Sequence, residues 1–312
     1  MVFAIIDLGT NTFNLLIAER KPNNTFKKIF STKIAVKLGE GAINSGYIAE
    51  VPFKRGIEAL KQYQIYLQEH QVEHTYAFAT SAIRTAKNGE EFVNQAKKIT
   101  DISITIIDGN EEADLIYYGN RMAIKMSNSV SLIMDIGGGS TEFILADKDS
   151  IFWKQSFLLG VARLLETFKF GDPVTSSEIS AFNNYLRDEL EPLFIAINKF
   201  KPTELIGSSG AFDSVIDMIA HEFNTGDEVN DIKTEFDVNI NHYFSISKKI
   251  KASTINERRQ MKGLIEMRVD MIVISFLLID FILKELNLSS IRVSTFSLKE
   301  GVISHKLGLS FS

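Results

Sequence analysis

Two stretches of this 312-residue chain repeat each other without a gap. The first reads Asp7-Leu8-Gly9-Thr10-Asn11-Thr12-Phe13-Asn14-Leu15-Leu16-Ile17-Ala18-Glu19. The second reads Asp135-Ile136-Gly137-Gly138-Gly139-Ser140-Thr141-Glu142-Phe143-Ile144-Leu145-Ala146-Asp147. Asp, Gly and Ala stand at matching places, Thr12 matches Ser140, and the flanks are apolar in both. A repeat at so long a period marks two copies of one structural unit. Each copy has the pattern of a strand, a turn rich in Gly and hydroxyls, and a second strand. The chain is therefore expected to form two lobes, each offering one such turn to a shared cleft.

The rest of the pattern agrees with a duplicated α/β chain. Residues 2–8, 13–19 and 25–36 read as strands. A helix over 50–70, a strand at 75–79, a helix to 99, a strand at 102–107 and a helix over 111–125 follow. The second half runs through strands near 130–135, 141–146 and 151–157, then helices at 160–168 and 176–198. A strand at 204–207, a helix from 211, a long helix over 264–286 and a strand at 291–295 complete it. Such alternation argues for mostly parallel sheets with covered faces. The first lobe is placed at 1–120 and the second at 121–297, with a closing helix, 298–312, packing back on the first. Residues 224–237 carry Asp227, Glu228, Asp231, Glu235 and Asp237 against Lys233 and read as an exposed loop.

A turn of Gly and Ser/Thr between strands lets successive backbone N–H groups point at one place, which makes an anion nest suited to phosphate. Hydroxyls of Thr10, Thr12, Ser140 and Thr141 add donors. The Asp that ends each first strand repels a phosphate unless a hard cation, usually Mg²⁺, sits between them. Either turn alone reads better as an ordinary hairpin with Asp at a turn position, but the gapless pair reverses that preference in favour of the ligand reading. Three other segments fit a phosphate cleft. In Thr80-Ser81-Ala82-Ile83-Arg84 a guanidinium lies just past a strand's carboxyl end, where open α/β sheets bind ligands. In Asp108-Gly109-Asn110-Glu111-Glu112-Ala113 two carboxylates open a helix; complementing the helix dipole is the competing role, and it keeps a Glu acidic unless burial raises it. Gly207-Ser208-Ser209-Gly210 joins a strand to a helix as another nest or as a plain turn.

Several classes are excluded. The net charge of −5 lacks the basic excess of a general nucleic-acid binder. The absence of cysteine removes thiolate chemistry, disulfides and iron–sulfur clusters. No Walker A sequence and no G-x-G-x-x-G after a strand are present. The greasiest stretch, 269–283, holds Asp270 and Asp280 and falls short of the roughly 20 apolar residues of a span, so it reads as a buried helix. A cytoplasmic protein is the default expectation. One basic run stands out: residues 246–268 carry seven Lys or Arg against Glu257 and Glu266, either a solvated helix face or a polyanion track.

At these motifs the chain resembles the exopolyphosphatase/guanosine pentaphosphate phosphohydrolase (Ppx/GppA) family of the actin, sugar-kinase and chaperone superfamily. The resemblance rests on the Asp7–Asn11–Thr12 turn, Ala79-Thr80-Ser81-Ala82-Ile83-Arg84, Gly109-Asn110-Glu111-Glu112-Ala113, Asp135 to Glu142, and Val293-Ser294-Thr295-Phe296-Ser297-Leu298-Lys299-Glu300-Gly301. It implies two ribonuclease-H-like lobes of order βββαβαβα with an interlobe cleft. It implies Mg²⁺-dependent hydrolysis of the terminal phosphoanhydride of inorganic polyphosphate, releasing orthophosphate. By motif position Glu112 is the base and Glu142 assists the water or the metal. Asp7 and Asp135 hold Mg²⁺. Thr10, Asn11, Thr12, Arg84, Gly137, Gly138 and Ser140 bind phosphates, with Ser208 and Ser209 of the third nest beside them. Alternatives are a pppGpp 5′-phosphohydrolase and a non-catalytic (p)ppGpp or polyphosphate sensor. The expected partner is polyphosphate or a phosphorylated guanosine nucleotide, with a homodimer as a further expectation and no nucleic acid or membrane. Thr10 and Thr12 stand where the family more usually has Ser, and Lys299 where Arg is common. The chain stops near 312 and so resembles the short members, without the helical domains of longer ones.

Overall fold

β1 (Val2–Leu8) is apolar at almost every position and covered on both faces, as a central strand must be. In the computed structural model, which describes residues 1–230 and 232–311, it lies in the middle of the first of two sheets. Asp231 of the acidic stretch and Ser312 of the closing segment fall outside the described residues. β2 (Thr12–Arg20) and β3 (Thr25–Ala35) continue the sheet antiparallel on one side of β1. β4 (His74–Ala79) and β5 (Ile104–Ile106) extend it in parallel on the other. The helices between them are α1 (Glu50–Glu69), α2 (Ser81–Thr85) and α3 (Gly89–Thr100), and α4 (Gly109–Ala123) follows β5.

The second sheet repeats this plan. β6 (Ser131–Ile136) is its centre, β7 (Thr141–Ala146) and β8 (Ile151–Phe157) continue antiparallel, and β9 (Glu204–Ser208) pairs in parallel. Between β8 and β9 come α5 (Val161–Thr167), α6 (Ser176–Glu189) and α7 (Glu191–Phe200). Beyond β9 lie α8 (Gly210–Phe223), β10 (Glu235–Val238), α9 (Ile240–Ala252), α10 (Ile255–Arg259), α11 (Ile272–Glu285) and β11 (Ile291–Ser294). The strand orders are β12-β3-β2-β1-β4-β5 and β10-β11-β9-β6-β7-β8, two ribonuclease-H-like sheets. The chain ends in α12 (Leu298–Gly301), a π-helical turn (Val302–Lys306) and β12 (Ser310–Phe311), which joins the first sheet beside β3.

Strand alternation explains the layering. On β1, Ala4, Ile6 and Leu8 pack with Leu60 and Tyr63 of α1 and Phe92 of α3, outside the first sheet. Phe3 and Ile5 face the opposite way, into a core that holds Leu115 and Ile116 of α4, Leu298, Val302 and Ile303, and Ile133, Ile144 and Ala146 of the second sheet. One helical layer, α4 with α12, is thus shared between the two sheets. Its helices approach closely because of two glycines: a Cβ on Gly119 would collide with the Ser297 carbonyl, and one on Gly301 with the Leu115 carbonyl. The far face of the second sheet, including Leu132, Met134, Phe143 and Leu145, packs on the remaining helices.

Four elements depart from the sequence expectation. The helix over 176–198 is broken at Leu190, because Pro192 sits in the first turn of α7 and cannot continue a preceding helix. The helix over 264–286 starts only at Ile272; residues before it form turns, including the 3₁₀ turn Glu266–Arg268. The acidic stretch runs into β10, an edge strand antiparallel to β11, and α9 follows it, so the second repeat carries an insertion. The closing helix is four residues long before it widens into the π-helical turn. α11 is buried from Ile272 to Leu283, and no helix among the described residues is long and apolar enough to cross a membrane.

Candidate active site

The two repeated turns close identically. Gly9 N–H donates to the Thr12 carbonyl at 3.1 Å, and Gly137 N–H to the Ser140 carbonyl at 3.0 Å. They also meet face to face: a Cβ on Gly138 would lie 2.7 Å from the Asn11 amide, and one on Gly139 2.5 Å from Thr10 Oγ1 and 2.7 Å from Ser81 Oγ. Glycine at both positions allows this contact. Thr10 Oγ1 and Ser81 Oγ are buried with no hydrogen-bond partner among the described residues. An unpartnered buried hydroxyl is costly, so these two mark a place that lacks a polar group.

The acids reach this place by register. Asp7 shares the face of Phe3 and Ile5 on β1, and Asp135 shares that of Ile133 on β6, so both point into the layer between the sheets. Asp7 pairs across its hairpin with Asn14, whose Nδ2 donates to it at 3.0 Å. Asp135 pairs with Glu142 at the equivalent register. Ser208 and Ser297 hydroxyls donate to Asp135 Oδ2 at 2.8 and 2.6 Å, and Ser156 donates to Glu142 Oε1 at 2.6 Å. α4 supplies Glu112 from its first turn. Asp108 caps that helix, accepting from the N–H groups of Asn110 and Glu111 at 2.8 and 2.9 Å. Glu111 turns outward to Lys306 at 2.6 Å, while Glu112 is buried and paired with Arg84 Nη1 at 2.7 Å. Arg84 also holds the Ile107 carbonyl at 3.0 Å.

Desolvation makes Asp7, Asp135, Glu112 and Glu142 reluctant to ionise. It pushes Asp7 up to about 6, against the Lys299 charge and the Asn14 hydrogen bond. Glu142 rises to about 7, through burial and then the charge of Asp135, with Ser156 and Ser140 pulling it back. Glu112 stands well above the usual range because of burial and the nearby Glu142, although Arg84 opposes this. Asp135 is raised by burial despite its serine donors. Lys299 works the other way: burial alone lowers an ammonium, yet Glu300, Asp7, Asp213 and Asp135 hold it above its ordinary value. Arg84 and Lys299 are thus the cations set against three buried carboxyls and the partly buried Asp7, and the donor set suits a hard divalent ion. Among the described residues no three acidic or histidine groups converge to ligate one.

The sequence pattern of the Ppx/GppA phosphatase family matches residues 16–309. The chain belongs to that family. A crystal structure of an exopolyphosphatase from Cytophaga hutchinsonii is 38% identical, covers 100% of both chains and superposes with a TM-score of 0.95. A Ppx/GppA family member from Aquifex aeolicus is 25% identical over 99% of this chain and 98% of its own, with a TM-score of 0.79. Exopolyphosphatase 1 of Mycobacterium tuberculosis is 24% identical over 308 residues, 98% of this chain and 88% of that protein.

Within this Ppx/GppA chain the predicted residues gather at one place, with two qualifications. Ser208 and Ser209 give their hydroxyl hydrogens to Asp135 and to the Ile136 carbonyl (2.8 and 3.0 Å), so in this structure they brace the end of β6. The basic run forms no continuous track. Lys249 pairs with Glu222, Lys251 with Asp280, Arg258 with Asp172, Arg259 with Glu266, and Arg268 with Asp213. Sequence reasoning missed Asn14, Ser156 and Ser81 as site residues. The duplication held the signal for Asn14, which matches Glu142; nothing in the sequence marks Ser156.

Proposed function

We propose that this chain is an exopolyphosphatase that hydrolyses the terminal phosphoanhydride of inorganic polyphosphate. Water adds to the terminal phosphorus, the P–O–P bond breaks, and orthophosphate leaves a chain one unit shorter. The observation that carries the reading is the meeting of two Gly and hydroxyl turns beside the mutually interacting acids Asp7, Asp135, Glu142 and Glu112. Phosphoryl transfer asks a protein for positioning and charge neutralisation more than for covalent work. The turns at Thr10, Asn11 and Thr12 and at Gly137, Gly138 and Ser140 hold phosphate oxygens, and Arg84 offers guanidinium nitrogens beside them. Glu112 takes the proton of the attacking water: Arg84 fixes its Oε2, and Oε1 carries no hydrogen bond among the described residues. Burial and the nearby Glu142 make its carboxylate more basic than that of a free glutamate. Glu142 orients the same water. Asp7 and Asp135 are the residues to hold Mg²⁺, which when bound neutralises phosphate charge.

The relatives from Cytophaga hutchinsonii and Mycobacterium tuberculosis, which match along nearly the whole length, are named exopolyphosphatases, which favours polyphosphate over pppGpp. The buried acids argue against a sensor without catalysis. A cytoplasmic setting and a homodimer go with the same proposal and are checked by fractionation and light scattering. The deciding experiment measures phosphate release from long polyphosphate, short polyphosphate, pppGpp and ATP, with and without Mg²⁺. Glu112→Gln is expected to lower kcat on polyphosphate by about 10²–10⁴-fold with KM little changed. Normal turnover in that variant removes the base assignment, and release from pppGpp alone removes the substrate assignment.

A further inference from the structure

Arg163 is buried, 8% exposed, and has no acidic ion-pair partner among the described residues. Its guanidinium is spent on neutral oxygens. Nε donates to the Gly139 carbonyl at 2.9 Å, Nη1 to the Ile43 carbonyl at 3.0 Å, and Nη2 to Thr85 Oγ1 at 2.7 Å. Burying a charge among neutral acceptors is expensive, so its placement calls for a geometric reason.

The acceptors supply that reason. All three glycine carbonyls of the second turn are held by the start of α5. Val161 N–H takes Gly137 O at 3.0 Å, Ala162 N–H takes Gly138 O at 2.8 Å, and Arg163 takes Gly139 O. A trans peptide points its N–H opposite to its C=O. Fixing these carbonyls toward α5 therefore fixes the N–H groups of Gly138, Gly139 and Ser140 away from it, as an anion nest requires. Gly160 permits the arrangement, since a Cβ there would collide with the Gly138 backbone. The other two partners belong to the first lobe. Thr85 follows Arg84 in the chain and donates back to the Ser81 carbonyl at 2.9 Å. Ile43 is joined by Asn44, whose N–H reaches Glu166 at 2.9 Å and whose Nδ2 reaches the Arg163 carbonyl at 3.2 Å.

We propose that Arg163 is a positioning residue: it aims the Ser140 N–H of the second phosphate turn and, through Ile43 and Thr85, makes that aim depend on contact between the two lobes. The proposal rests on the exopolyphosphatase reading for its activity readout and on amide exchange for its structural one. Lys cannot reach three diverging acceptors, so Arg163→Lys is expected to lower kcat for phosphate release by about 10²-fold with a smaller change in KM. It is also expected to speed exchange of the Ser140 amide. Thr85→Val keeps the shape and removes one of the bonds from Arg163 to the first lobe, with the Thr85 bond to the Ser81 carbonyl, while the bond to Ile43 stays; a loss of about tenfold is expected. Added guanidinium ion should restore part of the activity of Arg163→Ala. The inference is overturned if Arg163→Lys keeps kcat within twofold and an unchanged Ser140 exchange rate. Full activity of Thr85→Val overturns it too, and that variant decides the question if Arg163→Lys does not fold. A wild-type enzyme that releases no phosphate from polyphosphate defeats the functional reading instead, and the exchange rate of Ser140 still judges the role of Arg163.

Discussion

Gly139→Ala tests the contact between the two turns directly. The glycine does not have the positive φ that strains a side chain, so the substitution acts only through the space its methyl fills. That methyl would lie 2.5 Å from Thr10 Oγ1, 2.7 Å from Ser81 Oγ and 2.9 Å from Ser81 Cβ. Thr10 and Ser81 are each 2% exposed, so neither hydroxyl can swing clear. Ordinary contact begins near 3.4 Å, so the turns must separate by about 0.9 Å. A misplacement of about 1 Å can cost about 10²-fold in rate, and overpacking of this kind costs about 1–3 kcal/mol in stability. The expected result is a folded protein whose kcat on polyphosphate falls by about 10²-fold. Gly138→Ala is the internal comparison. Its methyl would meet the end of the Asn11 side chain, which can rotate away by giving up its 3.1 Å contact with Met271 Sδ. Its loss should stay below about tenfold. Steady-state phosphate release and thermal melts of both variants decide the matter. Wild-type kcat in Gly139→Ala, or a greater loss in Gly138→Ala, would refute the claim that these turns form one binding surface.

Two further predictions follow from the buried charges. Asp7, Glu112 and Glu142 have folded-state pKa values above their ordinary ones, so the folded chain binds more protons than the unfolded chain between about pH 4 and 7. Without Mg²⁺ the melting temperature should therefore fall as pH rises through that window, and Mg²⁺ at pH 8 should restore it by binding the native state; equal melts at pH 5 and 8 without metal would contradict the acid cluster. Asp280 of α11 accepts from Tyr243 at 3.0 Å and Ser247 at 2.8 Å and pairs with Lys251, so Asp280→Ala strands three donors. A denaturant melt should show about 2–4 kcal/mol of lost stability with kcat per folded molecule retained, because this cluster lies beyond the second sheet from the acids.

The sequence carried the fold wherever a residue pattern and a structural period coincide. The Asp-to-Ala repeat foretold both central hairpins, and alternation within them decided that Asp7, Asp135 and Glu142 share the inner face. What escaped were features set by one residue or by tertiary contact. Pro192 splits a helix whose apolar period runs on without a break. β10 is four residues long and half charged, and it is a strand only because the edge of β11 is free to pair with it. The basic run looked like a track because its acidic partners, Glu222, Asp280, Asp172 and Asp213, come from other parts of the chain. Arg163 lay in an ordinary helix pattern; its meaning appears only when Ile43 and Thr85 arrive from the other lobe.

The two copies are alike in shape but not in charge. At the same register Asp7 faces an amide, and Asp135 faces a second carboxylate. Asn14 can satisfy Asp7 with a neutral hydrogen bond, whereas Asp135 and Glu142 repel each other and rely on Ser208, Ser297 and Ser156 for donors. Glu142 is accordingly the harder of the hairpin-partner pair to leave uncompensated, and its carboxyl rises to about 7 while that of Asp7 rises to about 6. Glu112 adds a further buried acid on the same side, from a helix that belongs to the layer between the sheets. The shortage of positive charge is thus concentrated at the second turn and not shared evenly across the gap. Two copies of one hairpin thus meet with like shape and unlike charge, Asn14 standing in one where Glu142 stands in the other, so a polyanion lying between them meets a neutral partner residue on one side and an acidic one on the other.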